Sequence, residues 1–580
     1  MHTHKRRMGM LAISAEAPLS LIAAIVVVLS LPTGARAITF TQWVSGQGYS
    51  PGAVMPMNTS AGRASPAITS LDGIGDYDWT TSPTKVLGLN ENQISSIPSG
   101  AFSSVTYLET LNLDRNRILS VESGDFSGLS NLRSLFINEN QISSIESGDF
   151  NGLTSLRNLR MNDNRISSIE PGDFSELTSM TQLELSRNQI VSVEPGDFGA
   201  LANLYMLRLE SNQISSIEPG DFSGPTQLHV LYLGGNRISS IDSGDFGGLY
   251  DLTMLGLDNN EISSIESGDF AGLGKLTWLD MSNNLISSIE PGDFSDVRDM
   301  GMLKLSDNRI SSIEPGDFGD MPNLHMLIMQ RNRISSIESN DFGVMANMTA
   351  LYLGGNEIAS IKSGAFGGMP NLINLLLEGN DITNIEPGVF SGLMKLRNLR
   401  LESNTSMTHL NMEGAGFSDL RIFHLSGNTN ITSVSLKNAM LNQASLEALL
   451  YGSSSSSYYI GIADLPRVTE LDLSGMDFSQ ITSLAPFEGL RALTDLWLMD
   501  VSNLDAVELD SMLDRLVAMQ GTAVEGVLHL TQDDFDELDS GGLLTAWDAE
   551  DGHHVDIIPE PGSLLLLAFG VPAVLRRRRK

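Results

Sequence analysis

The chain has no cysteine in 580 residues, half as many basic as acidic side chains, and no long apolar run. Without thiols there is no disulfide, no cysteine nucleophile and no thiolate metal site, so whatever closes the fold must do so by packing alone. Lys and Arg number 35 against 70 Asp and Glu, a formal charge of −35. A chain so short of basic residues lacks the stripes that hold phosphate backbones, which argues against nucleic acid as a partner. No H-E-x-x-H or phosphate-cradling glycine loop occurs, so the chain is read as a non-enzyme that needs no cofactor.

What is present is a period. Asn92, Asn116, Asn140, Asn164, Asn188, Asn212, Asn236, Asn260, Asn284, Asn308, Asn332, Asn356, Asn380, Asn404 and Asn428 fall at a constant spacing of 24. Around them one pattern recurs, as in Leu108, Leu111, Leu113, Asn116, Ile118, Val121, Phe126 and Leu129. Fixed self-similarity of this kind marks a solenoid, whose repeats bury a continuous core only by stacking. Positions five and three before each Asn are apolar, as in Leu207 and Leu209. That alternation predicts a short strand with those side chains inward, and stacked strands form a parallel sheet with ~4.8 Å spacing. A Phe column, Phe102 through Phe390, keeps the same period and reads as core rather than as a stacking surface.

These positions resemble the extracellular 24-residue class of leucine-rich repeats, the internalin-like type, strongly over about residues 85–405. The resemblance implies a repeat solenoid of the α/β type, a horseshoe with a parallel concave sheet and an irregular or short-helical convex side. It also implies that each Asn amide bonds backbone groups of neighbouring turns. The lack of Cys-bonded caps departs from many extracellular relatives and points to an exported bacterial protein.

The ends read as export signals. Lys5, Arg6 and Arg7 precede an apolar run from Leu19 to Leu31 and an Ala35-Arg36-Ala37 site, so residues 1–37 are read as a signal peptide. Residues 38–84 are expected to cap the solenoid, and 406–556 to hold degenerate repeats and a C-terminal cap, with strands at Leu471–Leu473 and around Leu496 and a helix around Leu509–Met519. Residues 557–580 carry Pro559-Glu560-Pro561, an apolar stretch at 564–575 and Arg576, Arg577, Arg578, Arg579 and Lys580. In that order they resemble the PEP-CTERM sorting signal. The resemblance implies an exosortase-type enzyme as partner, transient membrane anchoring through the tail, and delivery to the cell surface, envelope or extracellular matrix.

The two faces of the repeat behave differently. Ile-Ser-Ser-Ile-Glu-Pro-Gly-Asp-Phe is nearly constant, whereas outward strand positions vary. Those positions line the concave side, where solenoids bind partners, and the candidate surface is Arg160, Glu184, Arg208, Tyr232, Trp278, Asp280, Lys304 and Tyr352, with Met206, Met254, Met302 and Met326 beside it. A protein or polysaccharide ligand is expected there.

On the constant side, Glu122 to Glu338 and Asp125 to Asp341 form two acidic columns of ten residues. Like charges ~5–6 Å apart repel by about 0.7 kcal/mol per contact in water. Two readings follow. The Asp can satisfy backbone N–H groups opening a short helical turn, or Ca²⁺ can condense weakly along Glu170, Asp173, Glu194, Asp197, Glu218 and Asp221, with no specific metal motif. The second makes the chain an acidic, cation-bridged matrix component without a discrete ligand.

Overall fold

The computed structural model describes residues 38–47, 58–60, 68–72, 74 and 85–451, then parts of 461–498, and the strands 526–531 and 553–558. The proposed signal peptide, the sorting residues Pro559–Pro561 and Arg576–Arg579, and the helix expected around Leu509–Met519 lie outside them.

Each regular repeat contributes one three-residue strand, such as Met206–Arg208, Val230–Tyr232 and Met254–Gly256. Sixteen strands form one parallel sheet in unbroken register, so Leu207, Leu231 and Leu255 sit side by side. The central leucine of each strand and the second leucine beyond it are fully buried, as at Leu207 and Leu209. The chain is thus a parallel-sheet solenoid with little helix.

The Asn column holds the turns. Asn212 Oδ1 accepts the N–H of Ile190 at 3.1 Å, and its Nδ2 donates to the carbonyls of Leu185 and Leu209, both at 3.0 Å. One amide therefore ties three backbone groups in adjoining turns, which the tight interior turn would leave without partners. To aim it, the preceding residue adopts a left-handed backbone, with φ 56° at Arg115 and 58° at Ser211. Gly235 takes the same conformation without the crowding of a Cβ. Inside, the Phe rings stack repeat on repeat, with Phe198 and Phe222 6.3 Å apart and nearly parallel.

The Asp column faces inward and satisfies backbone N–H groups as expected, but in a plain turn rather than a helical one. Asp221 is 2% exposed, and its Oδ2 accepts the N–H of Glu218, three residues earlier, at 2.8 Å. The same bond recurs at all ten positions from Asp125 to Asp341. Only the Glu column meets solvent, and the convex side is a run of turns rather than helices. Among the described residues no three acidic or His side chains gather as metal ligands would.

Both ends carry strands and a helix beyond the regular array. Strand Asn58–Ser60, within the expected cap, pairs with Val86–Gly88 and so opens the main sheet. Helix Phe40–Gly46 buries Phe40 beside this end. At the other end, helix Gln443–Tyr451 packs beside the last concave strand, Ile422–His424. Strands Glu470–Asp472 and Asp495–Trp497 do form, but in a separate six-stranded sheet that starts at His409–Asn411 and ends at His553–Ile558.

Candidate binding surface

Strand side chains alternate, so the residues six and four before each Asn leave the sheet on its concave side. Register fixes their neighbours. Arg160, Glu184, Arg208 and Tyr232 stand on four consecutive strands; Gly256, Asp280 and Lys304 follow in the same column. Tyr352 is separated from Lys304 by Ile328.

At its centre the surface is already bonded to itself. Tyr232 and Trp278 meet edge to face with centroids 6.1 Å apart. Their contact is possible because Gly256 lies between the strands: a Cβ there would stand 2.8 Å from Tyr232 Cδ1. Arg208 sits over the Tyr232 ring at 5.2 Å and bonds Glu210 at 2.6 Å. Lys304 sits over Trp278 at 5.0 Å and bonds Asp280 at 3.0 Å. Each cation is thereby shared between a ring face and a carboxylate. Arg160 repeats the arrangement with Phe136 and Glu184.

Two of the expected site residues are less available than the sequence suggests. Glu184 is 8% and Asp280 9% exposed. Glu184 accepts from Asn162 as well as facing Arg160, and Asp280 also accepts the N–H of Ser282. They hold cations in place more than they present a charge.

The strip beside this column is longer than the individual residues suggested. Met206, Val230, Met254, Trp278, Met302, Met326 and Ala350 occupy the first strand position in seven consecutive repeats. The same position is polar on both sides, at Asn158 and Gln182 before and at Asn374 and Asn398 after. One carboxylate in this stretch lacks a cation. Asp258 accepts from Asn259 Nδ2 at 2.5 Å, and the charged groups facing it are Asp280 and Glu210, so burial and like charge push its carboxyl above the usual range.

A model of the leucine rich repeat matches residues 82–142, 130–190, 179–238, 226–286, 282–334 and 346–405. The chain belongs to the leucine rich repeat family. Family members generally serve as non-enzymatic scaffolds that bind other proteins. No curated protein matches the chain. Among solved structures, this leucine rich repeat protein is similar to an internalin of Listeria monocytogenes, at 24% identity over 55% of this chain and 84% of that one, with a TM-score of 0.42. It is also similar to a leucine-rich repeat protein of Leptospira interrogans, at 25% identity over 54% and 76%, with a TM-score of 0.47. A chain of the Latrophilin 3, Unc5D and FLRT2 complex is 28% identical over 43% and 76%, with a TM-score of 0.40.

Proposed function

We propose that the chain is an exported bacterial binding protein, held at the cell surface or in the extracellular matrix, which engages a protein through its concave face. The observation that carries this reading is the strip from Met206 to Ala350, apolar through seven repeats and bounded by polar residues at both ends. Half-exposed Met206, Met254, Trp278, Met302 and Met326, interrupted only by the buried Val230, favour the apolar face of a protein over a polysaccharide, whose polar rims ask for hydrogen bonds instead. The terminal segments supply the route: residues 1–37 for export, and the Pro-Glu-Pro, apolar and basic tail for anchoring and exosortase processing.

The acidic columns support a second, structural reading, in which Ca²⁺ bridges exposed Glu170, Glu194 and Glu218. The inward Asp173, Asp197 and Asp221 leave those Glu as its main ligands.

The test is chemical cross-linking of the processed chain to envelope and matrix extract, beside Tyr232→Ala/Trp278→Ala, with and without Ca²⁺. A cross-linked partner lost in the variant supports concave recognition. Self-association that follows Ca²⁺ and ignores the variant replaces it with the matrix role.

A further inference from the structure

The concave strip has a spacing, and spacing selects the shape of what it holds. Its seven side chains stand one per strand, so they repeat every ~4.8 Å along the solenoid. An α-helix laid along the strip returns the same face every ~5.4 Å, close to one turn per strand. An extended peptide returns the same face every ~6.8 Å and falls out of step within three strands. Six intervals, the last ending on the buried Ala350, make the strip roughly 29 Å long, about the length of a 19-residue helix.

The borders of the strip are mixed, with rings at one end and small polar residues along the middle. One side carries Tyr205 and His229, whose rings stack 4.5 Å apart, then Thr253, Thr277, Gly301, His325 and Thr349. The other carries Gly256 and, beyond it, the uncompensated Asp258 between Glu210 and Asp280. Arg208 and Lys304 are committed to their own carboxylates. The charge left for a partner is therefore negative, in a chain of net −35.

We propose that the strip from Met206 to Ala350 is a docking groove for a basic amphipathic helix of a partner protein, with the helix axis across the strands, its apolar face on Met206, Met254, Trp278, Met302 and Met326, and a Lys or Arg of its flank on Asp258. The proposal rests on the concave-face reading and adds the conformation and charge of the ligand.

The experiment measures binding of three labelled 19-residue peptides to the full processed chain by fluorescence anisotropy. The first has Leu at helical spacing with Lys on its flanks. The second has the same composition in strict alternation. The third is the first with Glu for Lys. Expected is binding of the first at least roughly tenfold tighter than either other. Met254→Gln/Met302→Gln, which puts at those positions the residue the chain itself carries at Gln182, abolishes it, and Asp258→Asn narrows the Lys-to-Glu preference several-fold. Equal binding of the alternating peptide overturns the helix. Equal binding of the Glu peptide overturns the basic flank. If no peptide binds while Tyr232→Ala/Trp278→Ala still loses a natural partner, the groove proposal falls and concave recognition stands.

Discussion

The carboxylate of Asp341 takes the backbone N–H of Glu338, and where that Asp is missing the N–H turns elsewhere. One repeat on, Ala365 replaces the Asp, and the N–H of Lys362 donates to the carbonyl of Ile337 at 2.9 Å. Val389 replaces it next, and Glu386 donates to Ile361 at 3.0 Å. The three short strands Ser336–Ile337, Ser360–Ile361 and Asn384–Ile385 form along this line. At the other end of the column, Ala101 stands in the Asp position and Pro98, which has no N–H, in the Glu position. The Asp side chain and an inter-repeat hydrogen bond are two solutions to one backbone requirement.

The Asp column makes stability depend on pH in an unusual direction. Burial, then neighbouring Glu and Asp, raise Asp125, Asp173, Asp197, Asp245, Asp269 and Asp317 to about 6, and no cation is among the groups that shift them. A carboxyl whose folded pKa lies above its unfolded value near 3.9 binds its proton more tightly when folded. Stability therefore rises as pH falls through 6, and the gain is complete below about 4. Between pH 7 and 5 each such group adds about 1 kcal/mol. Thermal melts across that range should move upward with acid. Asp197→Asn/Asp245→Asn, which keeps an oxygen acceptor, should raise the melting temperature at pH 7.5 and flatten the profile. A profile that falls from pH 7 to 5 in the wild type contradicts this account.

Asn212→Ala should destabilise strongly. It removes one acceptor and two donor bonds from buried backbone groups that have no water to turn to. The cost is roughly 3 kcal/mol or more, since each orphaned group carries its own desolvation penalty. Urea unfolding should show an earlier midpoint, and hydrogen exchange should speed at Ile190 before it does at distant repeats. Uniform exchange along the array would mean that the Asn acts globally rather than between adjoining turns.

Gly256→Ala should alter the binding surface and spare the fold. The new methyl must push the Tyr232 ring away, ending its edge contact with Trp278 and shifting Arg208, which lies over it. Near-ultraviolet circular dichroism should lose Tyr and Trp signal while the melting temperature changes little. An unchanged aromatic spectrum would show that the ring does not need the space.

The solenoid was legible because strand, Asn, Ile and Phe positions recur together, and tertiary packing only repeats what one unit dictates. The first strand at Asn58–Ser60 was hidden because residues 38–84 lack the ladder residues. The inward turn of the Asp was missed because Gly-Asp in a polar stretch reads as surface. Its clue was available: the buried Ala365 and Val389 and the half-buried Ala101 fill the same position, and an apolar stand-in marks an inward site. Trp278 and Tyr232 were legible as a pair of outward aromatics, but their contact two strands apart depends on the missing side chain of Gly256. The sheet that begins at His409–Asn411 could not be read from Leu471 or Leu496, because the same apolar alternation serves either sheet.

Between turns, the hydrogen bonds of the Asn column join residues 22 or 27 positions apart, and strand partners lie 24 apart. Deleting any 24 consecutive residues within the regular array reconnects every such bond with an equivalent neighbour. The near-identical Ile-Ser-Ser-Ile-Glu-Pro-Gly-Asp-Phe segments place matching sequence at each junction. Unequal recombination can therefore lengthen or shorten the protein by whole turns without a misfolded intermediate, and each event adds or removes one strand with its concave side chains. The array is a heritable ruler whose length, and with it the size of partner it accommodates, can change in a single step.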